Sequence, residues 1–485
     1  MHINMSGKPF ILLCILALGA CAGGGETGTG LDDGGTTTPA DITAGTITGF
    51  GSVFVNGIEF ETANSTFSLD GISGDENSLA IGMVITVEGP VNADGLTGTA
   101  EHIEFKDELE GVVLANDVNN GGTLNIMGQT VVVDTQTTFE SSVTGIGSID
   151  LIQPGNIVEV SGYSSGSGTI YATRVEVKQD ALQQDGEMEL KGIVADLTDT
   201  TFTIGALTID YSMAQLENLP DGQLSNGLYV EVKSSQTITA NTLIASTIKM
   251  EDGGEKIIKG EEGADGELEG IVTGIESSQE FFLNGQPILI TDETKFENGT
   301  AATIAVGVKL EAEGTFNANG KLVAVSIKFR AVGDIQMEGF VDSVDLNNKT
   351  LTVFGQAITI NSLTSLEDER DMNPVRYFNL EKISATDFVQ IHAYHDTNGN
   401  LIATKLVRND AEGDTVLLKG SVDEVNATQI VIAGVTVDIS ALSSLSVKVG
   451  DALEVTGTFS NGILTADKAE ASNRQANSNA VGEGQ

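Results

Sequence analysis

Tryptophan is absent from this 485-residue sequence, and aromatic residues make up only 5% of it. Stacking platforms for bases or sugars are therefore scarce. Cations are scarce too: 24 Lys and Arg stand against 69 Asp and Glu, for a net charge of −45. Nucleic-acid binding relies on clustered cations that displace counterions, so no nucleic acid is expected as a partner. The acidic excess is expected to keep a large β-protein soluble and its strand edges apart. No G-x-x-x-x-G-K motif occurs, which removes the usual phosphate loop. The one strongly apolar stretch, residues 10–18, is too short to cross a bilayer as a permanent helix. Only two cysteines occur, Cys14 and Cys21.

What is present begins with an address. Lys8 supplies a positive segment, residues 10–18 an apolar one, and Leu-Gly-Ala-Cys at 18–21 a cleavage site. This box resembles that of bacterial lipoproteins, which implies that residues 1–20 are a signal peptide and that Cys21 carries lipid at the mature N-terminus. Ala22 follows in place of the aspartate associated with inner-membrane retention. The expected location is the outer membrane, facing the periplasm or the cell surface. Cys14 would leave with the signal, so no disulfide is expected in the mature chain. Residues 21–44 are polar and Gly/Thr-rich and are expected to form a flexible tether, and residues 472–485 a disordered tail.

The rest of the chain repeats itself, as arrays of small units do. Leu-Glu-Gly-Val-Val at 109–113 recurs as Leu-Lys-Gly-Ile-Val at 190–194 and Leu-Glu-Gly-Ile-Val at 268–272. It returns as Met-Glu-Gly-Phe-Val at 337–341 and Leu-Lys-Gly-Ser-Val at 418–422, with a looser first copy at 44–47. A second glycine follows 12 to 17 residues later, at 57, 128, 205, 285, 355 and 434, each between alternating apolar runs. That pattern predicts a hairpin with a tight turn. Gly-x6-Gly at 82/89, 155/162, 307/314 and 450/457 encloses a strand that alternates apolar and acidic residues. The closing strand carries Ala100, Ala172, Ala245, Ala324, Ala403 or Ala466, with an apolar residue three positions on. The switch from spacing two to spacing three breaks strand parity and predicts a β-bulge.

Five strands per copy, in the order β-β-β-(α)-β-β, predict an all-β tandem array of six small five-stranded OB-like Greek-key barrels. Small β-sandwiches are the alternative. The modules are expected over residues 45–105, 109–177, 189–250, 267–329, 337–408 and 417–471, joined by charged linkers. In the fifth, the connection 362–386 is enlarged, and a helix is expected there up to Pro374. The segments ITGFGSVFVNGIEFET (47–62) and IGMVITVEG (81–89) resemble domain-of-unknown-function family fifty-six sixty-six, found repeated in Gram-negative lipoproteins. The resemblance covers most of residues 45–471. It implies an extracytoplasmic lipoprotein and a tandem array, and it implies no activity and no functional residues.

Several motifs suggest chemistry. Residues 159–168 contain G-x-S-x-G around Ser164. A nucleophile elbow runs from strand through a sharp turn into a helix. Here another strand, IYATRVEV, follows, so Ser164 is expected in a hairpin loop. His392 and His395 lie three apart in a predicted strand and should face opposite ways, which prevents joint chelation; His102 stands alone. Asp396, Asn398 and Asn400 begin like a Ca²⁺ loop but lack the bidentate acid that would complete it, so turn chemistry is expected. The clusters Asp107/Glu108/Glu110, Glu251/Asp252/Glu255 and Glu261/Glu262 fall at module junctions and are expected to be solvated. The resulting expectation is a non-catalytic, lipid-anchored scaffold or binding protein without a cofactor. Its partners would be the membrane, through the lipid on Cys21, and an envelope protein or polymer. Two alternatives are an envelope hydrolase with an acidic site between modules, using Asp368, Glu369, Arg370 and Asp371, and a Ca²⁺-stiffened spacer.

Overall fold

Glycine turns and alternating residues dictate the local structure. The computed structural model describes residues 41–472 apart from 185, 253–256 and 443–444, and these lie in one compact unit, Pro39–Gln485. The calls on the signal peptide, on Cys21 and on nearly all of the tether and tail fall outside the described residues.

The fourth repeat shows the common plan. Its opening strand, Asp265–Ile275, pairs antiparallel with Glu280–Leu283 and with Lys309–Phe316. The turn between Glu280–Leu283 and Gln286–Leu289 uses Asn284 and Gly285, both at positive φ (53° and 89°), as a two-residue hairpin loop requires. Gln286–Leu289 then runs parallel to the closing strand, Leu322–Phe329. Inward-facing residues such as Leu268, Phe281, Ile288, Leu310 and Ile327 form the core.

The closing strand carries the bulge that its alanine spacing implies. Glu313 opposes Ser326 while Gly314 opposes Ala324, which leaves Val325 as the extra residue. The same shift follows Ala172, Ala403 and Ala466. In the first and third repeats the closing strand is interrupted at Ala100 and Ala245. The terminal glycine of Gly-x6-Gly sits opposite the bulge in the second, fourth and sixth repeats, where the backbone comes very close; in the fifth Ala393 takes that place. A Cβ on Gly314 would lie 2.1 Å from the Val323 carbonyl oxygen, and one on Gly457 2.0 Å from that of Thr465.

The expected array of six separate OB-like barrels, and the small-sandwich alternative, are corrected by the way sheets pass between repeats. The chain is all-β, 52% strand, and organised as a β-solenoid of about 10 turns. The opening strand of the first repeat, Ile42–Gly49, pairs in parallel with that of the fourth, Ile42 opposite Gly266. Opening strands of the second and third repeats, Leu109–Asn116 and Met188–Ile193, pair antiparallel with Leu109 opposite Leu190. Those of the fifth and sixth, Ile335–Asp345 and Val416–Val425, do likewise with Met337 opposite Leu418. The third repeat is also split: Thr201–Ile204, Leu207–Asp210 and Thr242–Ile244 form a three-stranded sheet of their own. The physical reason is that each opening strand has two hydrogen-bonding edges, and part of it satisfies a neighbouring repeat. The helix expected before Pro374 is also absent; that connection holds a short strand, Ser365–Asp368, and a 3-10 turn, Leu380–Lys382.

Candidate binding site at the junction of four repeats

Shared strands pull charged residues into the interior. Lys191 lies in the opening strand of the third repeat, flanked by the apolar Leu190 and the small Gly192. Its ammonium is buried and donates to Asp107, to Asp70 at 3.1 Å and to the Asp107 carbonyl oxygen at 3.2 Å, with Glu189 at 2.6 Å. Burial works against the charge, but the three carboxylates hold the Lys191 pKa well above the usual lysine range. Burial also pushes the Asp107 carboxyl well above the carboxylate range, more than Lys191 pulls it down. Burial would raise Glu189 as well, but Lys191 and Lys233 outweigh it and leave its pKa at about 2. Ligand atoms of Asp70, Asp107 and Glu189 lie within 4.8 Å of one another, close enough to share one ion. The Lys191 ammonium already occupies the position a metal would take.

A second buried cluster joins the first, second and fourth repeats. The Tyr163 hydroxyl donates to Glu269 at 2.7 Å and sits 2.6 Å from the Thr46 hydroxyl. Lys309 and Arg330 approach Glu269 at 3.2 and 3.4 Å. Burial raises the Glu269 pKa, but the two cations overcome it and bring the carboxyl down to about 2. Burial and the Glu269 charge push the Tyr163 phenol well above its ordinary value.

Between these clusters lies a cavity of about 310 Å³. Its apolar wall comes from Ile42, Ala44, Leu268 and Leu283, and its ring edges from Tyr163 and Tyr229. Glu88, Glu104 and Asp252 line it as well, and Lys106 lies 2.5 Å from Asp252 and 3.3 Å from Glu104. All four of the first repeats contribute, so no single repeat could form it.

The residues singled out in the sequence fall mostly elsewhere. Ser164 ends the strand Ile157–Ser164, is buried, and accepts a hydrogen bond from the Gly166 amide at 2.8 Å; Thr169–Gln179 follows as a strand. His392 is buried with Nδ1 unpartnered, and burial together with Lys405 and Lys419 lowers its pKa to about 3, so it is neutral. His395 is exposed, and His102 is half-buried against the Thr66 hydroxyl at 2.8 Å. Asp396 accepts from the amides of Asn398 and Asn400 at 2.9 and 2.7 Å and from Asn400 Nδ2 at 2.9 Å, so its oxygens close a turn.

The junction acids correct an expectation. Asp107, Glu108 and Glu251 are buried, Glu110 is half-buried, and only Glu261 and Glu262 are exposed; Glu255 lies outside the described residues. Asp368 has its side chain fully enclosed and accepts from Arg370 Nε at 2.8 Å, Arg408 Nη2 at 2.6 Å and the Val375 amide at 2.8 Å. Burial opposes ionisation, but these donors hold its pKa well below the carboxylate range. Glu369 is exposed, and partial desolvation together with the neighbouring Glu367 charge raises its pKa to about 7. The Asp371 amide donates to Asp410 at 2.8 Å. Sequence reasoning missed Lys191 as the centre of a buried network. The available signal was a lysine set between Leu190 and Gly192 in the opening strand of a chain poor in cations.

Shared sheets, bulged closing strands and internally paired charges define an all-β protein of tandem repeats. Residues 42–104, 110–176, 191–249, 269–328, 338–406 and 419–470 each match the family model described as Domain of unknown function (DUF5666). The chain belongs to that family, six times over. No curated protein matches it.

Proposed function

We propose that this chain is a lipid-anchored extracytoplasmic scaffold that presents packed repeats to another envelope component. The observation that carries this reading is how the buried carboxylates are used. Asp107 faces Lys191, Glu269 faces Lys309, Glu311 faces Lys328 at 2.7 Å, and Asp368 faces Arg408. Each is committed to holding strands or repeats together, an arrangement that favours a rigid support over acid–base chemistry, for which a carboxyl must be able to exchange its proton with a substrate. The acidic surface suits a partner with cationic groups. The Leu-Gly-Ala-Cys box supports attachment through Cys21.

The test is metabolic labelling with an alkyne fatty acid in a Gram-negative host, followed by membrane fractionation. The wild-type chain should take up label and sediment with outer membrane, and Cys21→Ser should do neither. An unlabelled wild-type chain would remove the anchor from this reading.

A further inference from the structure

We propose that the cavity at the junction of the first four repeats binds a small organic ammonium ligand with an apolar body. Its volume, about 310 Å³, falls at the small end of the range typical of ligand sites. The inference goes beyond the scaffold reading and is independent of lipid attachment.

The chemistry of the walls selects the ligand. The floor is continuous because the first and fourth opening strands pair directly, which places Ile42, Ala44 and Leu268 side by side. An apolar body gains by covering such surface. The polar side is carboxylate-rich, and the site already accommodates an ammonium: Lys106 sits between Asp252 and Glu104. Glu88 ends the strand Val84–Glu88, is exposed, and has no ion-pair partner among the described residues. Six carboxylates line the cavity against two lysines, Lys106 and Lys259, so the wall as a whole is acidic and disfavours an anion. A bare metal ion is disfavoured, since the converging oxygens of Asp70, Asp107 and Glu189 are filled by Lys191, and Glu104 and Asp252 already hold Lys106. Charge combined with an apolar body satisfies both sides at once.

The experiment is isothermal titration calorimetry of the full-length chain at low ionic strength with three probes of one shape and different charge: phenethylamine, 2-phenylethanol and phenylacetate. The amine should bind once per chain, at least tenfold more tightly than the alcohol, with phenylacetate silent. Thr86→Trp, on the half-buried outward face of Val84–Glu88, should fill the cavity and abolish amine binding. Glu88→Gln should weaken it at least threefold, and because this residue is exposed the variant should fold as the parent does. Equal binding of amine and alcohol overturns the proposal. So does non-saturating uptake of amine, which would report only the acidic surface, or saturable binding untouched by Thr86→Trp. If that variant melts well below the parent, Glu88→Gln decides, and an unchanged affinity there counts against the proposal.

Discussion

Replacing Lys191 by methionine tests whether the buried charges bind the repeats together. Methionine keeps most of the stem's volume and deletes the ammonium. In the parent that ammonium is 3% exposed and Asp107 6% exposed, so neither is compensated by water. Removing one partner of a buried pair costs about 3–5 kcal/mol, because the other charge stays behind in a poor dielectric. At about 2 °C per kcal/mol for a large unit, the melting temperature should fall by about 6–10 °C. The loss should depend on pH with a definite sign. The folded-state pKa of Asp107 is already raised by burial, and deleting Lys191 removes the charge that pulls it down. A carboxyl raised on folding favours the native state below its unfolded pKa, and that contribution is lost as pH rises through the folded value. The deficit should therefore be small near pH 5 and large near pH 8. A double variant, Lys191→Met with Asp107→Leu, should recover most of the loss, since Asp70 is 31% exposed and Glu189 still has Lys233 at 2.9 Å. Differential scanning calorimetry across that pH range reads all of this. A single variant that melts with the parent at pH 8 would refute the claim that the cluster is held dry.

Two further outcomes follow from the geometry. Gly314→Ala would force a Cβ to within 2.1 Å of the Val323 carbonyl oxygen at the bulge, and should cost about 1–3 kcal/mol in chemical denaturation; a neutral result would mean that the bulge relaxes freely. EDTA should leave the melting temperature unchanged, because the Asp70, Asp107 and Glu189 oxygens are held by Lys191 and the Asp396 oxygens by Asn398 and Asn400. A fall in melting temperature, restored by Ca²⁺, would support the stiffened-spacer alternative.

Much of the local structure was legible because it obeys local rules. A glycine between alternating runs makes a hairpin wherever it occurs, and the spacing from Ala324 to Ile327 disclosed a bulge from parity alone. The strand after Ser164 was legible, but Ser164 itself closes the strand before the loop and does not lie in it. Partner choice was not legible. Leu109 opposite Leu190, Met337 opposite Leu418 and Ala44 opposite Leu268 are contacts between similar residues, and the same apolar edge would pair with any of the others. The length of the connections narrows the choice. Only residues 106–108 separate the strand His102–Phe105 from Leu109–Asn116, so the first and second repeats must abut. Lys106, Asp107 and Glu108 are then drawn between sheets whatever their polarity. Charged residues on a three-residue connection look like a solvated linker when read one repeat at a time. Once two sheets close over them, their cost can be met only by opposite charges from a third strand, and in a chain so poor in cations the placement of Lys191 and Lys106 at this junction is what allows the repeats to share strands.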